Sequence, residues 1–275
     1  MNRILVINVG STSIKVGIFQ EGVFVSKETF GAFGMLEGVS QGLSFCHKVL
    51  EEFLNRHAAV SKGFDLIVSR GGLTRPLKSG AYEINEAMCR DLREARFGWH
   101  PTNLGPLLAY ELGQRMGVRA IIFDSPSTDE MEPIARVSGL KEIERKAAFH
   151  VLSQKAAGRR AAKEFNRSYE EMNFVIAHLG GGITICAHKN GRIIDGTHGL
   201  SEGPFTPQRS GALPLEDVIE LCFSGRFKNS KELKAYLIGK GGLVSYLGTH
   251  EIPKIEDRIR SGDKEAELIL KAMCY

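Results

Sequence analysis

"AHLGGGITICAHKNGRIID", residues 177–195, decides how this chain is read. Three glycines in a row suit either a limp linker or a tight turn that needs bare backbone. "NFVIAHL" runs into them and "ITICAHK" leaves them, both with the apolar and β-branched content of strands. Asn190-Gly191 then follows at the distance of a second turn, and Asn-Gly is the strongest short hairpin signal. The glycines are therefore read as a strand–turn–strand loop.

The same plan opens the chain. "ILVINVGSTSIKVGIFQEGVFV" from Ile4 and "FVIAHLGGGITICAHKNGRIID" from Phe174 run in step, offset by 170. Each is strand, glycine turn, strand, x-Gly hairpin, strand. Asn8 falls on His178, Val9 on Leu179 and Gly10 on Gly180, while the hairpin glycines Gly22 and Gly191 slip by a single residue. Two copies this far apart indicate a duplicated domain and not a short-period solenoid. Related α/β halves usually enclose a cleft, where ligands bind.

The 275 residues suffice for two domains with buried cores. With 43% hydrophobic and 25% charged residues the composition is that of a globular protein. A net charge of +4 argues for neither a nucleic-acid nor a membrane partner. No apolar run approaches a membrane span, and the N-terminus lacks a signal-peptide core. Five scattered cysteines without a C-x-x-C pair read as reduced thiols in a cytoplasmic protein.

Between the repeats, Leu36, Val39, Leu43, Cys46, Leu50 and Phe53 mark one helix face. "FDLIVSRGG" (64–72) and "AIIFDS" (120–125) read as strands, and 104–116 and 141–166 as helices. Residues 214–225 carry Pro at the first turn and Gly at the end of a helix, and 230–239 repeats that logic. Asp263 is placed to cap a last helix. That helix is expected to stop at Tyr275 uncapped, with Leu268, Ile269, Ala272 and Met273 lacking a following element to cover them.

Small residues let backbone N–H groups approach anionic oxygens, and hydroxyls add donors. "NVGSTSIK" offers Gly10, Ser11, Thr12, Ser13 and Lys15; "HLGGG" offers Gly180, Gly181, Gly182 and an imidazole. Neither matches the P-loop, and each alone could be a plain β-turn; their equivalence within a repeat favours phosphate binding. Asp124 ends a buried strand, where an acid marks a ligand-facing edge or caps a loop. Arg70 precedes a glycine pair, and Arg209 lies in the Pro/Gly-rich loop 203–214. His100 adjoins the sole tryptophan. His47 and His57 are expected to be exposed, and His178 and His188 lack metal-ligand spacing. Lys155, Arg159, Arg160, Lys163 and Arg167 read as the solvated face of a helix.

Taken in order, "ILVINVGSTSIK", "SRGGLTRPL", "HPTNLG", "FDSPSTDEM", "ERKAAFH", "AHLGGGI", "EGPFTPQRSG" and "GKGGLVSYLG" resemble the carboxylate kinases of the acetate/butyrate kinase family. The loop "EGPFTPQRSGALP" and the segment "GKGGLVSYLG" resemble its butyrate kinase branch. The resemblance implies an α/β fold of two duplicated ribonuclease-H-like (actin-like ATPase) domains around a central cleft, the second incomplete. The boundary is placed between 126 and 127. It implies ATP/ADP and Mg²⁺ as cofactors, a short-chain carboxylate such as butyrate as substrate, a reversible reaction yielding an acyl phosphate, and a homo-oligomer. Asn8, with Gly10–Ser13 and Lys15, would form the first phosphate loop; His178 with Gly180–Gly182 would form the second. Asn8 and His178 would face one γ-phosphate. Asp124, with Asn8, would organise Mg²⁺. Arg209 would bind the carboxylate or the phosphoryl group, with Arg70 as a second such arginine and His100 and His150 near the substrate. Acetate kinases read H-R-x-x-H-G-G where this chain has Arg70 at the second histidine. The resemblance also implies a further glycine-rich strand and closing helices beyond Tyr275. On that expectation the competing reading is a truncated remnant that at most binds phosphate or dimerises.

Overall fold

The computed structural model describes residues 2–10, 13–31 and 38–275, which divide into two compact units, 1–130 and 131–275. Ser11, Thr12 and Leu36 lie outside the described residues.

In the first unit β1 (Arg3–Val9), β2 (Ser13–Gln20) and β3 (Val23–Gly31) form an antiparallel meander. Leu5, Ile7 and Val9 of β1 and Ile14, Val16 and Ile18 of β2 are buried, every second residue, as a sheet with one covered face requires. Glu21 and Gly22 join β2 to β3 with φ of 53° and 75°, the two left-handed residues of a type I′ turn. Then follow α1 (Val39–Arg56), β4 (Leu66–Ser69), β5 (Ala81–Glu83), α2 (Glu86–Arg93), α3 (Leu104–Met116) and β6 (Ala120–Phe123). The strand order is β3-β2-β1-β4-β6-β5, with β1, β4 and β6 parallel. Cys46, Leu50 and Phe53 of α1 and Leu104, Leu107 and Leu108 of α3 fill the core against this sheet. Gly105 permits the approach of α3, since a Cβ there would lie 2.8 Å from Ser69 Oγ.

The second unit holds α4 (Val151–Glu164), β7 (Asn173–Leu179), β8 (Ile183–Lys189), β9 (Arg192–Gly196), α5 (Leu215–Phe223), α6 (Ser230–Gly239), α7 (Leu243–Leu247), α8 (Ile252–Arg260) and α9 (Lys264–Cys274). Strands β7-β8-β9 repeat the first meander. Asn190 and Gly191 turn with φ of 49° and 76°. The likeness extends to an irregularity. β2/β3 bulges between Ile18 and Phe19, and β8/β9 bulges between Ala187 and His188, both at the second residue pair beyond the hairpin. The slipped glycine also has its cause. The pair Val9↔Ile14 closes a four-residue turn, whereas Leu179↔Ile183 closes a three-residue one. The second copy is one residue shorter before its hairpin.

Four expectations need correction. The helix expected over 141–166 begins only at Val151. Arg145, inside the expected helix, instead bonds Glu202, Asp195 and the carbonyls of Ala135 and Gly196, while its own N–H meets Arg136 O. Those partners hold 141–149 out of a helix. Lys155 is not on a solvated face: it is 1% exposed, and its ammonium donates to Gly191 O at 2.8 Å beneath the β8–β9 hairpin. In α9, Ile269 and Met273 are partly buried by preceding elements, packing with Leu270 on the cluster of Leu243, Leu247, Ile255 and Ala266, whereas Leu268 is exposed. Asp263 does cap that helix, accepting from Ala266 N at 2.9 Å. His47 and His57 are half-buried rather than exposed, paired with Glu111 and Glu28 at 2.7 Å.

Candidate active site

In the first unit the register sets the site. Ile7 pairs with Ser69 and Ser69 with Ile122, so the next residues, Asn8, Arg70 and Phe123, stand level at the C-terminal ends of three parallel strands. Ligands of open α/β sheets bind outside such strand ends. Ile7, Ser69 and Ile122 are fully buried, whereas Asn8 and Arg70 fall on the opposite, half-open face. Burial lowers the Arg70 guanidinium pKa, and among the described residues no carboxylate lies in ion-pair reach of it. Gly71 follows with φ of 95°, and a Cβ there would lie 2.7 Å from Ser125 Cβ. That glycine lets "SRGG" close on "FDSPST". "HPTN" joins the group, because Asn103 Oδ1 accepts from Leu73 N at 2.9 Å.

Asp124 is 1% exposed with φ of 44°. Its Oδ1 accepts from Ser79 Oγ and, at 3.0 Å, from Gly80 N, so it holds the chain entering β5. His100 Nδ1 accepts from Thr102 N at 3.2 Å, capping the short 3-10 turn Pro101–Asn103 that leads into α3. Gly10 N donates to Ser13 O at 2.8 Å, drawing in the ends of the first glycine turn, and Lys15 is exposed on β2 opposite Asn8.

In the second unit the glycine turn is held from one side by the loop bearing Arg209. Thr206 Oγ1 donates to Gly181 O at 2.7 Å and accepts from Arg209 N at 3.0 Å. The Arg209 guanidinium donates to Gly199 O and lies against Gly182, where any Cβ would collide with it. Gln208 Oε1 stands over Gly181, 2.9 Å from a Cβ placed there. "GKGG" backs the arrangement: Gly242, φ 63°, sits against Thr206 O, where a side chain has no room. Burial lowers the Arg209 pKa as well, again with no carboxylate in ion-pair reach among the described residues.

His178 stands one residue pair inside the turn, opposite Thr184, as Asn8 does opposite Lys15. Its ring stacks on His150, centroids 3.9 Å apart and planes within 13°. One array of bare amides, a desolvated guanidinium and two imidazoles is suited to an oxyanion, and phosphate is the oxyanion such nests commonly take.

The family model of the acetokinases matches residues 134–275. The chain belongs to the acetokinase family.

Its structure is similar to that of acetate kinase from Porphyromonas gingivalis (TM-score 0.78, 20% identity, 99% of this chain and 77% of that one). It also resembles a propionate kinase from Francisella tularensis subsp. tularensis (TM-score 0.73, 20% identity, 99% and 77%) and acetate kinase from Entamoeba histolytica (TM-score 0.70, 17% identity, 99% and 75%). These likenesses give the chain the mixed α/β fold of the solved acetate and propionate kinases. Family membership supports ATP-dependent phosphorylation of a carboxylate. Among the described residues no helix is long and apolar enough to cross a membrane.

A divalent cation fits the family's chemistry, and the residues can be tested for it. Among the described residues no three His, Cys, Asp or Glu side chains gather as a metal cage. Mg²⁺ in phosphotransferases usually needs none, since phosphate oxygens and waters supply most ligands and the protein adds one or two carboxylates. Asp124, with the amide of Asn8 as a neutral oxygen donor, is compatible with that modest role.

Sequence reading overlooked His198, Arg145 and Glu202. Arg145 forks onto Glu202 at 3.1 and 3.4 Å, and Glu202 accepts from His198 N at 3.0 Å, fixing the loop whose Gly199 carbonyl holds Arg209. Burial depresses the His198 pKa, while Glu202 opposes the shift and Arg209 and Lys146 add to it. Only the cluster "ERK…HGLSE" could have signalled this, and its two parts lie more than fifty residues apart.

Proposed function

We propose that this acetokinase-family chain transfers the γ-phosphoryl group of ATP to a short-chain fatty carboxylate, butyrate in the first instance, giving an acyl phosphate and ADP reversibly. The observation that carries this reading is made once in each unit, at Arg70 in the first and Arg209 in the second. Each is a desolvated guanidinium without a carboxylate partner among the described residues, and each adjoins a glycine turn. A buried cation without a counter-ion is costly unless an anion completes it.

The chemistry explains why cations outnumber bases here. A carboxylate, with a pKa near 4.3 in a glutamate side chain, is already a nucleophile at neutral pH. The obstacle is repulsion between it and the phosphoryl oxygens, so catalysis is positioning and charge stabilisation. Arg209 is assigned to the carboxylate or the transferring phosphoryl group, Arg70 to a second anionic oxygen, and His178 and Asn8 to the γ-phosphate. Gly180–Gly182, and Gly10–Ser13 with Lys15, are assigned to the nucleotide phosphates. His100 is assigned to the substrate end, and Asp124 with Asn8 to Mg²⁺, which when bound would offset charge on the phosphates. The preference for butyrate over acetate rests on "EGPFTPQRSGALP" and "GKGGLVSYLG", which here pack on one another through Thr206 and Gly242.

Trapping acyl phosphates as hydroxamates tests both levels. Product is expected with butyrate and isobutyrate above propionate and acetate. Acyl phosphate from acetate alone would refute the chain-length assignment, and none from any acid at millimolar Mg·ATP would refute the activity.

A further inference from the structure

Behind the stacked histidines lies a continuous run of buried polar side chains. Thr184, Gln154, His188 and Tyr169 are each 3% exposed or less. Gln154 Nε2 donates to Thr184 Oγ1 at 2.7 Å and to Thr184 O at 3.1 Å. Gln154 Oε1 meets His188 Nε2 at 2.9 Å, and His188 Nδ1 meets the Tyr169 hydroxyl at 2.5 Å. At the other end Thr184 Oγ1 lies 3.1 Å from His150 Nδ1.

Giving every buried donor in these contacts an acceptor sets the protons at the front end. An amide oxygen only accepts, so His188 carries its proton on Nε2. The Gln154 amide faces two acceptors at Thr184, which fixes its own orientation. Thr184 Oγ1 accepts from Gln154, and its own hydrogen, on a fully buried hydroxyl that needs an acceptor, has His150 Nδ1 within reach and is donated there. The ring proton of a neutral His150 must sit on Nε2.

We infer that the buried chain Thr184–Gln154–His188–Tyr169 is a positioning device that locks His150 in its Nε2–H form and holds its ring flat against His178 beside the glycine turn. Thr184 is the residue that transmits the constraint. It sits on β8, opposite His178 in the register, so one short strand places both the hydroxyl and its target. The length of the chain follows from its anchors. Gln154 stands on α4, one turn beyond His150, while His188 is on β8 and Tyr169 lies just ahead of β7. Helix and sheet are thereby pinned in register. The catalytic side of this inference rests on the function proposed above: a fixed Nε2–H would be a ready donor to a phosphoryl oxygen. The tautomer itself does not rest on it.

The test uses the full chain with two readouts. Histidine ¹⁵N spectra report which ring nitrogen is protonated, and hydroxamate kinetics report turnover. In the wild type His150 Nδ1 is expected at the unprotonated position. Thr184→Val removes only the hydroxyl, and Gln154 keeps its bond to the Thr184 backbone carbonyl. Its His150 signals should move toward a tautomer mixture. Its kcat should fall by about tenfold to a hundredfold, the range seen when a partner orienting a histidine ligand is lost, with KM for ATP little changed. Thr184→Ser should restore both. Should Thr184→Val not fold, Tyr169→Phe, which cuts the far end, carries the same readouts with a smaller expected change. The proposal is overturned if His150 Nδ1 is protonated in the wild type, if its signals do not respond in Thr184→Val or Tyr169→Phe, or if serine is no better than valine. A wild-type chain that makes no acyl phosphate but shows the locked tautomer would refute the proposed function and leave this inference standing.

Discussion

Gly182→Ala should disable the enzyme while leaving it folded. The glycine has no positive φ, so alanine strains no backbone. The new methyl would instead lie 2.5 Å from the Arg209 Cζ, against about 3.4 Å for ordinary contact. The guanidinium, whose Nη1 would be nearer still, must retreat by at least about 0.9 Å, the difference between those two distances, and give up its bond to Gly199 O. It cannot take its backbone along, because Thr206 and Leu237 hold residues 209 and 210 from both sides. A 1 Å misplacement of a positioning group costs about 10²-fold in rate, or about 2.7 kcal/mol of barrier. Overpacking relieved by a flexible side chain should cost only about 1 kcal/mol of stability. Steady-state hydroxamate kinetics with butyrate give the first number, and urea unfolding the second. Gly239→Ala, which meets nothing within 4 Å, is the control. A folded Gly182→Ala protein with kcat/KM within twofold of wild type would show that contact between Arg209 and the glycine turn is irrelevant to the reaction.

Arg209→Ala should lower acyl-phosphate formation by roughly 10²–10³-fold, as loss of one preorganised donor does, with the melting temperature nearly unchanged; near-normal turnover would make Arg209 a loop residue only. Asp124→Ala leaves the Ser79 hydroxyl and Gly80 N–H without their acceptor and should destabilise by about 1–3 kcal/mol, whereas Asp124→Asn keeps an oxygen there and should lose activity without that loss in urea unfolding. His198 binds a proton less readily folded than unfolded. Its contribution to stability is therefore complete above pH 6.5 and lost as pH falls below it. Thermal melts should decline through that window, and His198→Asn should flatten the decline; the depressed Glu202 pKa acts only lower, below 4.5. Of the five thiols, exposed Cys222 and Cys274 should react at once with a thiol reagent. Buried Cys46 and Cys186, pushed up to about 12, and Cys89, raised to about 11, should react only on unfolding.

What local chemistry controls was legible in the sequence. Glu21-Gly22 and Asn190-Gly191 announced their hairpins because only left-handed residues make that turn. Helices 104–116 and 230–239 and the Asp263 cap followed from periodicity and end residues alone. The 170-residue repeat marked the two glycine turns as equivalents, and the matched bulges follow the same pattern. Everything that depended on a distant partner was out of reach. The helix before Val151 was lost to four residues that accept from the Arg145 guanidinium, three of them fifty or more residues away. Lys155 looked like one charge in a solvated row until a hairpin carbonyl was folded over it. Asp124 read as a ligand-facing or loop-capping acid, and only tertiary structure showed that one carboxylate oxygen holds a turn more than forty residues earlier. The sequence by itself determined the strands, the turns and the kinds of side chain near them, since these follow from neighbours along the chain. Which side chains are desolvated, which carbonyl Arg209 meets and which nitrogen of His150 carries the proton were decided by tertiary structure, because burial and hydrogen-bond direction depend on partners that only folding brings together.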